Sequence, residues 1–225
     1  IHRRLVGSEM CIRDRDGGHS DFGGRDLHIG DWDYGILPPT APLPIASATA
    51  TGIALASSRK GDGRFTLAPV GEGCSSSGEF WEAINFAGAR GLPICYIIQN
   101  NQIALDTFSN KQSGAETFGD KGASVGLPAW SIDGSDPAIY YASVCVAREL
   151  AVSGGGGCIV HVETMRGCGH AHHHDDLYLG AENGNPPGYV GEELMQYWSK
   201  KEPIENHERL LRELGVGSRL LLSLI

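Results

Sequence analysis

The sequence predicts an α/β fold in which helices cover both faces of a parallel sheet. Apolar, strand-like runs alternate along the chain with helix-like segments, an order typical of such sheets. Glycines mark the boundaries of these segments, with clusters at 17–24, around Gly71 and at 154–157. The chain has 225 residues, which is enough for one α/β domain with a hydrophobic core.

The first predicted element is a helix at 44–57. It begins with a proline, a residue that suits the first turn of a helix. Its apolar positions are Ile45, Ala48, Gly52 and Leu55. Because the segment contains no long charged side chain, we expect this helix to be buried.

The following segments alternate between strands and helices. Strands are predicted at 65–70, 93–98, 130–133 and 158–164, and helices at 78–89 and 136–152. The first of these helices places Phe80, Trp81, Ile84 and Ala87 at spacings near three and four, and Asp136 fits the N-cap of the second. Because parallel strands need crossover connections, this order favours parallel pairing.

The chain divides into three predicted segments. Residues 1–15 resemble a translated sequencing adapter, so we expect them to be a non-native leader. Residues 16–190 form the predicted α/β domain, and residues 191–225 a C-terminal helical segment. In the last third we predict a histidine-rich loop at 166–179, a turn at 185–188, and helices at 192–198 and 205–214.

Charge and cysteine content narrow the function classes. The formal net charge of −9 disfavours a nucleic-acid partner. No apolar run reaches the roughly 20 residues of a membrane-spanning helix, so we expect no membrane association. The six cysteines include no C-x-x-C pair, and Cys95 and Cys158 fall within predicted strands. We therefore expect buried, reduced thiols and a location in the cytoplasm, or in the mitochondrial matrix of a eukaryote.

Two polar residues follow neighbouring predicted strands. Glu72 lies between two glycines after the first strand, and Asn101 follows the second strand 29 positions later. A strand–helix–strand unit would return both residues to the same edge of the sheet, where open parallel sheets bind ligands. A carboxylate and an amide oxygen suit Mg²⁺ held between protein and phosphate. The sequence therefore predicts a magnesium site at this edge.

The stretch 70–101, VGEGCSSSGEFWEAINFAGARGLPICYIIQNN, resembles the thiamine-diphosphate signature, GDG followed after a crossover by NN. It looks closest to the alpha-type, decarboxylating component of the 2-oxo acid dehydrogenases. Glu72 occupies the position at which that family usually has aspartate, and the loop must accommodate the extra methylene group of the glutamate side chain. The resemblance covers residues 23–215 and only the middle and end of a full alpha subunit, so we expect an N-terminally truncated chain with the family's thiamine-diphosphate-binding fold.

The resemblance implies thiamine diphosphate and Mg²⁺ as cofactors. The implied metal ligands are Glu72, the Asn101 side chain and the main-chain carbonyl of Ile103. Gly71, Gly73 and Cys74 are implied to bind the cofactor, the last two by donating backbone N–H groups to the diphosphate.

Two further segments are similar to cofactor-binding parts of the family. The sequence GIL at 35–37 takes the place of residues whose backbone holds the aminopyrimidine ring, which implies that Gly35 and Leu37 bind the cofactor. The segment ETMRGCGHAH resembles the phosphate-anchoring loop. It implies a diphosphate contact for Arg166, and both cofactor binding and acid/base or acyl-transfer catalysis for His170. Ala171 occupies the position at which animal enzymes of this family have a regulatory serine.

The implied reaction is oxidative decarboxylation of a small 2-oxo acid, pyruvate or a branched-chain acid, with acyl transfer to a lipoyl-bearing acyltransferase. A beta-type subunit or fused domain would supply the glutamate that activates the cofactor, so this chain would carry half of the site. The implied assembly is a hetero-oligomer or a dimer of fused chains.

Two alternatives remain open at this point. A transketolase-like or decarboxylase-like enzyme shares the cofactor signature. A non-catalytic metal-binding module could instead use His172, His173 and His174 with Asp175 or Asp176. A dinucleotide site is disfavoured, because the glycines are spaced G-x-G-x-x-x-x-G and no acidic residue follows at the ribose position.

Overall fold

The structure is a computed structural model that describes residues 30–39, 42–170, 174–180 and 188–216. The chain divides into two compact units. One consists of Ile1–Pro42 and Leu210–Ile225, and the other consists of Leu43–Arg209. The predicted leader at 1–15 and most of the predicted turn at 185–188 lie outside the described residues. Within the described ranges, no helix is both long enough and apolar enough to cross a membrane.

Six strands and six α-helices are described. The strands are β1 (Thr66–Gly71), β2 (Ile94–Asn100), β3 (Ile103–Ala104), β4 (Thr107–Phe108), β5 (Ala129–Asp133) and β6 (Cys158–Glu163). The helices are α1 (Ile45–Lys60), α2 (Gly78–Arg90), α3 (Pro137–Leu150), α4 (Asp175–Leu179), α5 (Glu192–Ser199) and α6 (Pro203–Glu213). Every helix and strand predicted above is present, with ends shifted by a few residues.

The main sheet is parallel and has the strand order β1-β2-β6-β5. Gly71 pairs with Gln99, and Glu163 pairs with both Asn100 and Asp133, so the carboxyl ends of the four strands form one edge. This arrangement confirms the parallel sheet predicted from the order of elements.

Helices cover both faces of this sheet, as predicted. The side chains of β2 alternate, so that Ile94, Tyr96 and Ile98 pack in a core with α1 and α2, while Cys95 and Ile97 pack in a second core with α3. A strand buried on both faces must be apolar along its whole length. This explains why the segment read as a continuous apolar run.

The predicted burial of the strand cysteines is confirmed. Cys95 and Cys158 are buried, free and directly opposite each other in the β2–β6 register. The hydrogen bond with Cys158, together with burial, raises the pKa of Cys95 above its usual range. The Cys95 thiol therefore stays protonated.

The predicted burial of α1 is wrong for most of the helix. Ile45 is 49% exposed, and Ala48 and Gly52 are also exposed. The buried face consists of small, mostly polar residues, namely Ser47, Thr51, Ala54 and Ser57. These side chains are short enough for close packing, and their hydroxyl groups can form hydrogen bonds inside the protein.

The other two long helices follow their sequence signals more closely. In α2 the buried residues are Phe80, Ala83, Ile84 and Ala87, whereas Trp81 is 38% exposed. The predicted N-cap of α3 is confirmed, because the Asp136 carboxylate accepts the backbone N–H groups of Ala138 and Ile139.

Three elements between β2 and β5 have no counterpart among the predictions. They are the short antiparallel hairpin of β3 and β4, a 3-10 helix at Ser109–Lys111 and a longer 3-10 helix at Phe118–Val125. Thr117 and Asp120 cap the start of the longer 3-10 helix reciprocally. All three elements lie in the connection that follows Asn101, so they help to form the surroundings of the predicted site.

Candidate active site

Glu72 follows β1 directly and is almost fully buried, with 2% of its surface exposed. Its Oε2 accepts the backbone N–H of Asn101 at 3.4 Å. Among the described residues, no cationic side chain forms an ion pair with this carboxylate. A buried carboxylate is costly without a compensating positive charge. The environment of Glu72 therefore suits a cation.

Asn101 directly follows β2, and its side chain caps the turn that comes next. Its Oδ1 accepts the backbone N–H of Ile103 at 3.2 Å. Gln102, between these two residues, has a positive φ of 78° and donates its N–H to Asn100 Oδ1 at 3.0 Å. The structure thus places two of the predicted metal ligands, Asn101 and Ile103, in one tight turn, and the Glu72 carboxylate lies against the backbone of that turn.

These residues fit a hard cation. They offer a carboxylate, an amide oxygen that retains a lone pair, and a main-chain carbonyl, which are the oxygen donors that Mg²⁺ prefers. Within the described ranges, no three His, Cys, Asp or Glu side chains cluster as a metal site. The His172 and His173 side chains of the alternative hypothesis lie outside the described residues.

The loop after Glu72 needs glycine at position 73. A Cβ added to Gly73 would lie 2.6 Å from the Cβ of Ala104, so only glycine lets the β3–β4 hairpin approach the loop this closely. Gly73 and Cys74 start a 3-10 turn at Cys74–Ser76, where the first backbone N–H groups have no partner within the turn. Cys74 is buried, and burial raises the pKa of its thiol. A Cβ on Gly71 would meet open space.

Lys121 also contacts this loop, and sequence reasoning missed it. It belongs to the 3-10 helix at Phe118–Val125, and only 5% of its surface is exposed. Its Nζ donates to the backbone oxygen of Ser75 at 2.7 Å and to Ser75 Oγ at 2.9 Å. The rings of Trp81 and Phe118 lie 5.4 and 5.0 Å from the same atom. Burial lowers the pKa of Lys121 to about 8.

Arg166 and His170 lie close to each other after β6. Arg166 Nη1 is 3.5 Å from His170 Nδ1, and Nη2 donates to the backbone oxygen of Leu105 and, at 3.0 Å, to the Tyr189 hydroxyl. The Arg166 Nε is buried and has no hydrogen-bond partner among the described residues. This unpaired Nε–H donor of Arg166 is available to a ligand. The His170 side chain is exposed to solvent.

Two tyrosines hold Arg166 in place, and sequence reasoning missed both. The Tyr178 ring lies 4.9 Å from the guanidinium carbon, and its hydroxyl donates to the Arg166 carbonyl at 2.8 Å. The Tyr189 hydroxyl donates to the Leu105 carbonyl at 2.9 Å. The β3–β4 hairpin therefore contacts both the Glu72 loop, through Ala104, and Arg166, through Leu105.

The predicted aminopyrimidine-binding residues belong to the other unit and are described there by themselves. Gly35 has a φ of 69°, and a Cβ added to it would contact nothing within 4 Å. Leu37 is half-buried and follows a short antiparallel bridge between Asp31 and Ile36. The left-handed backbone conformation explains glycine at position 35.

Comparison with known proteins finds one family whose members resemble this chain. The model of the family described as "Dehydrogenase E1 component" matches residues 10–221. The pyruvate dehydrogenase E1 component subunit alpha of Bacillus subtilis (strain 168) is 32% identical over 186 residues, covering 83% of this chain and 48% of that protein. The proteins of the same name from Staphylococcus aureus (strain Mu50) and Bacillus cereus are 34% and 33% identical, covering 80% and 81% of this chain and 46% and 47% of their own lengths.

This chain spans about half the length of the curated relatives that it matches. Among solved structures, a protein from Mycobacterium smegmatis described as a thiamin diphosphate-dependent enzyme matches with 19% identity and a TM-score of 0.45. That match covers 58% of this chain and 24% of the other.

Proposed function

Because the chain belongs to the dehydrogenase E1 component family, we propose that it supplies the diphosphate and Mg²⁺ half of a thiamine-diphosphate site. The observation that carries this proposal is the buried Glu72 carboxylate, which lies against the Asn101 backbone at the carboxyl edge of the sheet and has no ion-pair partner in the described part of the chain. The proposed reaction is the oxidative decarboxylation of a 2-oxo acid. When bound, thiamine diphosphate supplies the carbanion that attacks the 2-oxo carbon and accepts the electron pair released with CO₂.

The proposed metal ligands are the Glu72 carboxylate, Asn101 Oδ1 and the carbonyl of Ile103. Without a metal ion, Glu72 would repel a diphosphate at this edge. A divalent cation reverses that electrostatic effect, because it attracts both the carboxylate and the phosphate oxygens. The burial of Glu72 supports this role, since a low-dielectric environment strengthens its attraction to the ion.

The remaining site residues are proposed to contact the cofactor or the reacting groups. Gly71, Gly73 and Cys74 form the loop that faces the diphosphate, and the start of the turn at Cys74–Ser76 provides N–H donors. The unpaired Nε of Arg166 supports a diphosphate contact. His170, exposed beside Arg166, would hold or move a proton during acyl transfer. Gly35 and Leu37 are proposed to hold the aminopyrimidine ring.

The proposed substrate is pyruvate, because the named relatives are pyruvate dehydrogenase subunits, with a branched-chain 2-oxo acid as the alternative. The proposed partners are a beta-type subunit or fused domain and a lipoyl-bearing acyltransferase, in a cytoplasmic multienzyme complex. The beta-type part would contribute the carboxylate that activates the cofactor.

Calorimetric titration of thiamine diphosphate with Mg²⁺ tests the proposal. The sample is the longer protein that contains this chain, assembled with its beta-type partner, and the variants are Glu72→Ala and Asn101→Ala. We expect saturable, Mg²⁺-dependent binding that weakens at least about tenfold in each variant, since each loses an ion ligand or a hydrogen bond to a charged group. The matched control is Glu82→Ala, which removes an exposed carboxylate from α2.

Wild-type binding that does not need Mg²⁺, or Glu72→Ala binding as tight as wild type, would contradict the proposed metal site. Turnover of pyruvate against branched-chain 2-oxo acids by the same assembly then identifies the substrate.

A further inference from the structure

Lys121 is a buried cation, and the contacts that it makes with described residues are hydrogen bonds and ring contacts to neutral groups. Its Nζ donates twice to Ser75, and the rings of Trp81 and Phe118 flank it. Within the described residues, no carboxylate forms an ion pair with it. Burying an ammonium group without an anionic partner is costly, and its hydrogen bonds to Ser75 offset part of that cost.

The contacts of Lys121 continue to the metal-binding loop. Ser75 is completely buried, and its Oγ donates to the backbone oxygen of Glu72 at 2.6 Å. The backbone N–H of Ser75 donates to the same oxygen at 3.1 Å. These contacts form one continuous hydrogen-bonded chain from Lys121 through Ser75 to the Glu72 backbone. Because Ser75 is buried, water molecules cannot take over its hydrogen bonds.

This chain joins two distant parts of the sequence, since Lys121 and Ser75 are 46 positions apart. The turn at Cys74–Ser76 is short and has no side-chain cap at its start. Its conformation therefore depends on contacts from outside, and Lys121 provides two of them. Fixing this turn also fixes Glu72, which precedes it by two residues.

We propose that Lys121 is a positioning residue for the Mg²⁺–diphosphate site, which it orders through Ser75. This inference rests on the proposed function, because it assumes that Glu72 binds the metal ion. Lys121 holds the loop in its binding conformation before the cofactor arrives, so the ordering cost is not paid during binding.

The test compares dissociation constants for thiamine diphosphate with Mg²⁺ in the complete assembly. The variants are Lys121→Met, Lys121→Arg, Ser75→Ala and the double variant Lys121→Met/Ser75→Ala. We expect Lys121→Met to weaken binding about tenfold, as for lost hydrogen bonds from a charged donor, and Lys121→Arg to recover most of that loss. The loss in the double variant should be smaller than the sum of the two single losses, because both changes break one chain of contacts.

Two controls separate positioning from general destabilisation. Lys60→Met removes an exposed lysine from α1 and should leave binding unchanged. Val144→Ala destabilises the core on the opposite face of the sheet and should lower the melting temperature without weakening cofactor binding.

Lys121→Met binding within twofold of wild type, or losses that add up in the double variant, would overturn the inference. Equal weakening by Val144→Ala at a matched loss of stability would do the same. If wild type binds but Glu72→Ala binds equally well, the proposed function fails instead, so the two failures can be told apart.

Discussion

The face of the sheet covered by α1 and α2 contains several buried polar side chains, whereas the buried cluster on the face covered by α3 consists of apolar side chains and thiols, with Ser143 as the buried polar residue of that helix. On the first face, the Thr51 hydroxyl lies 2.6 Å from the Tyr96 hydroxyl, which donates to the Ala83 carbonyl at 3.1 Å. On the same face, the Ser131 hydroxyl oxygen forms a hydrogen bond of 3.0 Å with His161 Nδ1. The α3 face is built from Cys95, Ile97, Ala147, Cys158, Val160 and Val162. On the face covered by α1 and α2, the hydrogen bonds of Thr51, Tyr96 and Ser131 connect separate elements of the fold.

The largest expected effect concerns Lys121 and pH. Burial lowers its pKa from 10.5 to about 8, so between these values the unfolded chain holds a proton that the folded protein has released. The free energy of unfolding rises with pH in that window, and this contribution is lost as pH falls through about 8. The difference between wild type and Lys121→Met should therefore rise with pH, at most by about 1.4 kcal/mol per unit.

Urea unfolding at pH 7.5, 9 and 10.5 measures this difference. Lys60→Met, which removes an exposed lysine, should follow the pH dependence of wild type. A difference between wild type and Lys121→Met that does not change with pH would show that Lys121 has an ordinary pKa.

A reciprocal exchange of hydroxyl and methyl groups tests the two faces directly. Val160→Thr places a hydroxyl group among the apolar side chains and thiols under α3 and should cost about 2 kcal/mol. Thr51→Val removes the bonds to Ser47 and Tyr96 on the other face. It should cost about 1 kcal/mol, because Tyr96 keeps its bond to Ala83.

Denaturant midpoints of the two variants at pH 7.5 give both costs. If Val160→Thr costs no more than Thr51→Val, the two faces differ in composition but not in their tolerance of polar groups.

The smallest expected effect is the acid sensitivity of His161. This side chain is buried, its Nε2 has no hydrogen-bond partner in the described part of the chain, and burial lowers its pKa below the usual 6.5. The unfolded chain therefore binds the proton first as pH falls, and stability decreases from about pH 6.5 downwards.

His161→Gln, which cannot be protonated in this range, should lose less stability than wild type between pH 7.5 and 5. Urea midpoints at both values test this, and parallel losses in the two proteins would contradict it.

The sequence predicted the sheet and the proximity of Glu72 to Asn101 because the signals for both are local. Apolar runs define the strands, and strand ends define the edge where the two side chains meet. The burial of α1 was overpredicted because the absence of long charged side chains was taken as a sign of burial. The residues that are buried mostly carry hydroxyl groups, and Thr51 satisfies its hydroxyl group inside the protein. Its bond partner Tyr96 is 45 positions away.

The residues that hold the site in place could not be found in the same way. Lys121 lies in a short, glycine-containing segment that was not predicted as an element, and its partner Ser75 is 46 positions away. Tyr189 contacts Leu105 across 84 positions. Such contacts depend on the tertiary fold, and neither residue stands in a motif that would mark it. Sequence reasoning therefore identified groups that could bind a ligand, but not those that position them.

The β3–β4 hairpin has a consequence for how this protein tolerates changes in chain length. Ala104 lies against Gly73 and Leu105 holds Arg166, so two adjacent residues set the spacing between two segments that are otherwise far apart in sequence. An insertion in most surface loops adds only a small entropic cost. One residue inserted between Ala104 and Leu105 would lengthen the backbone between the two contacts. It would therefore move the segment that contains Gly73 away from the segment that contains Arg166. The length of this short turn is thus as constrained as the chemistry of the side chains around it.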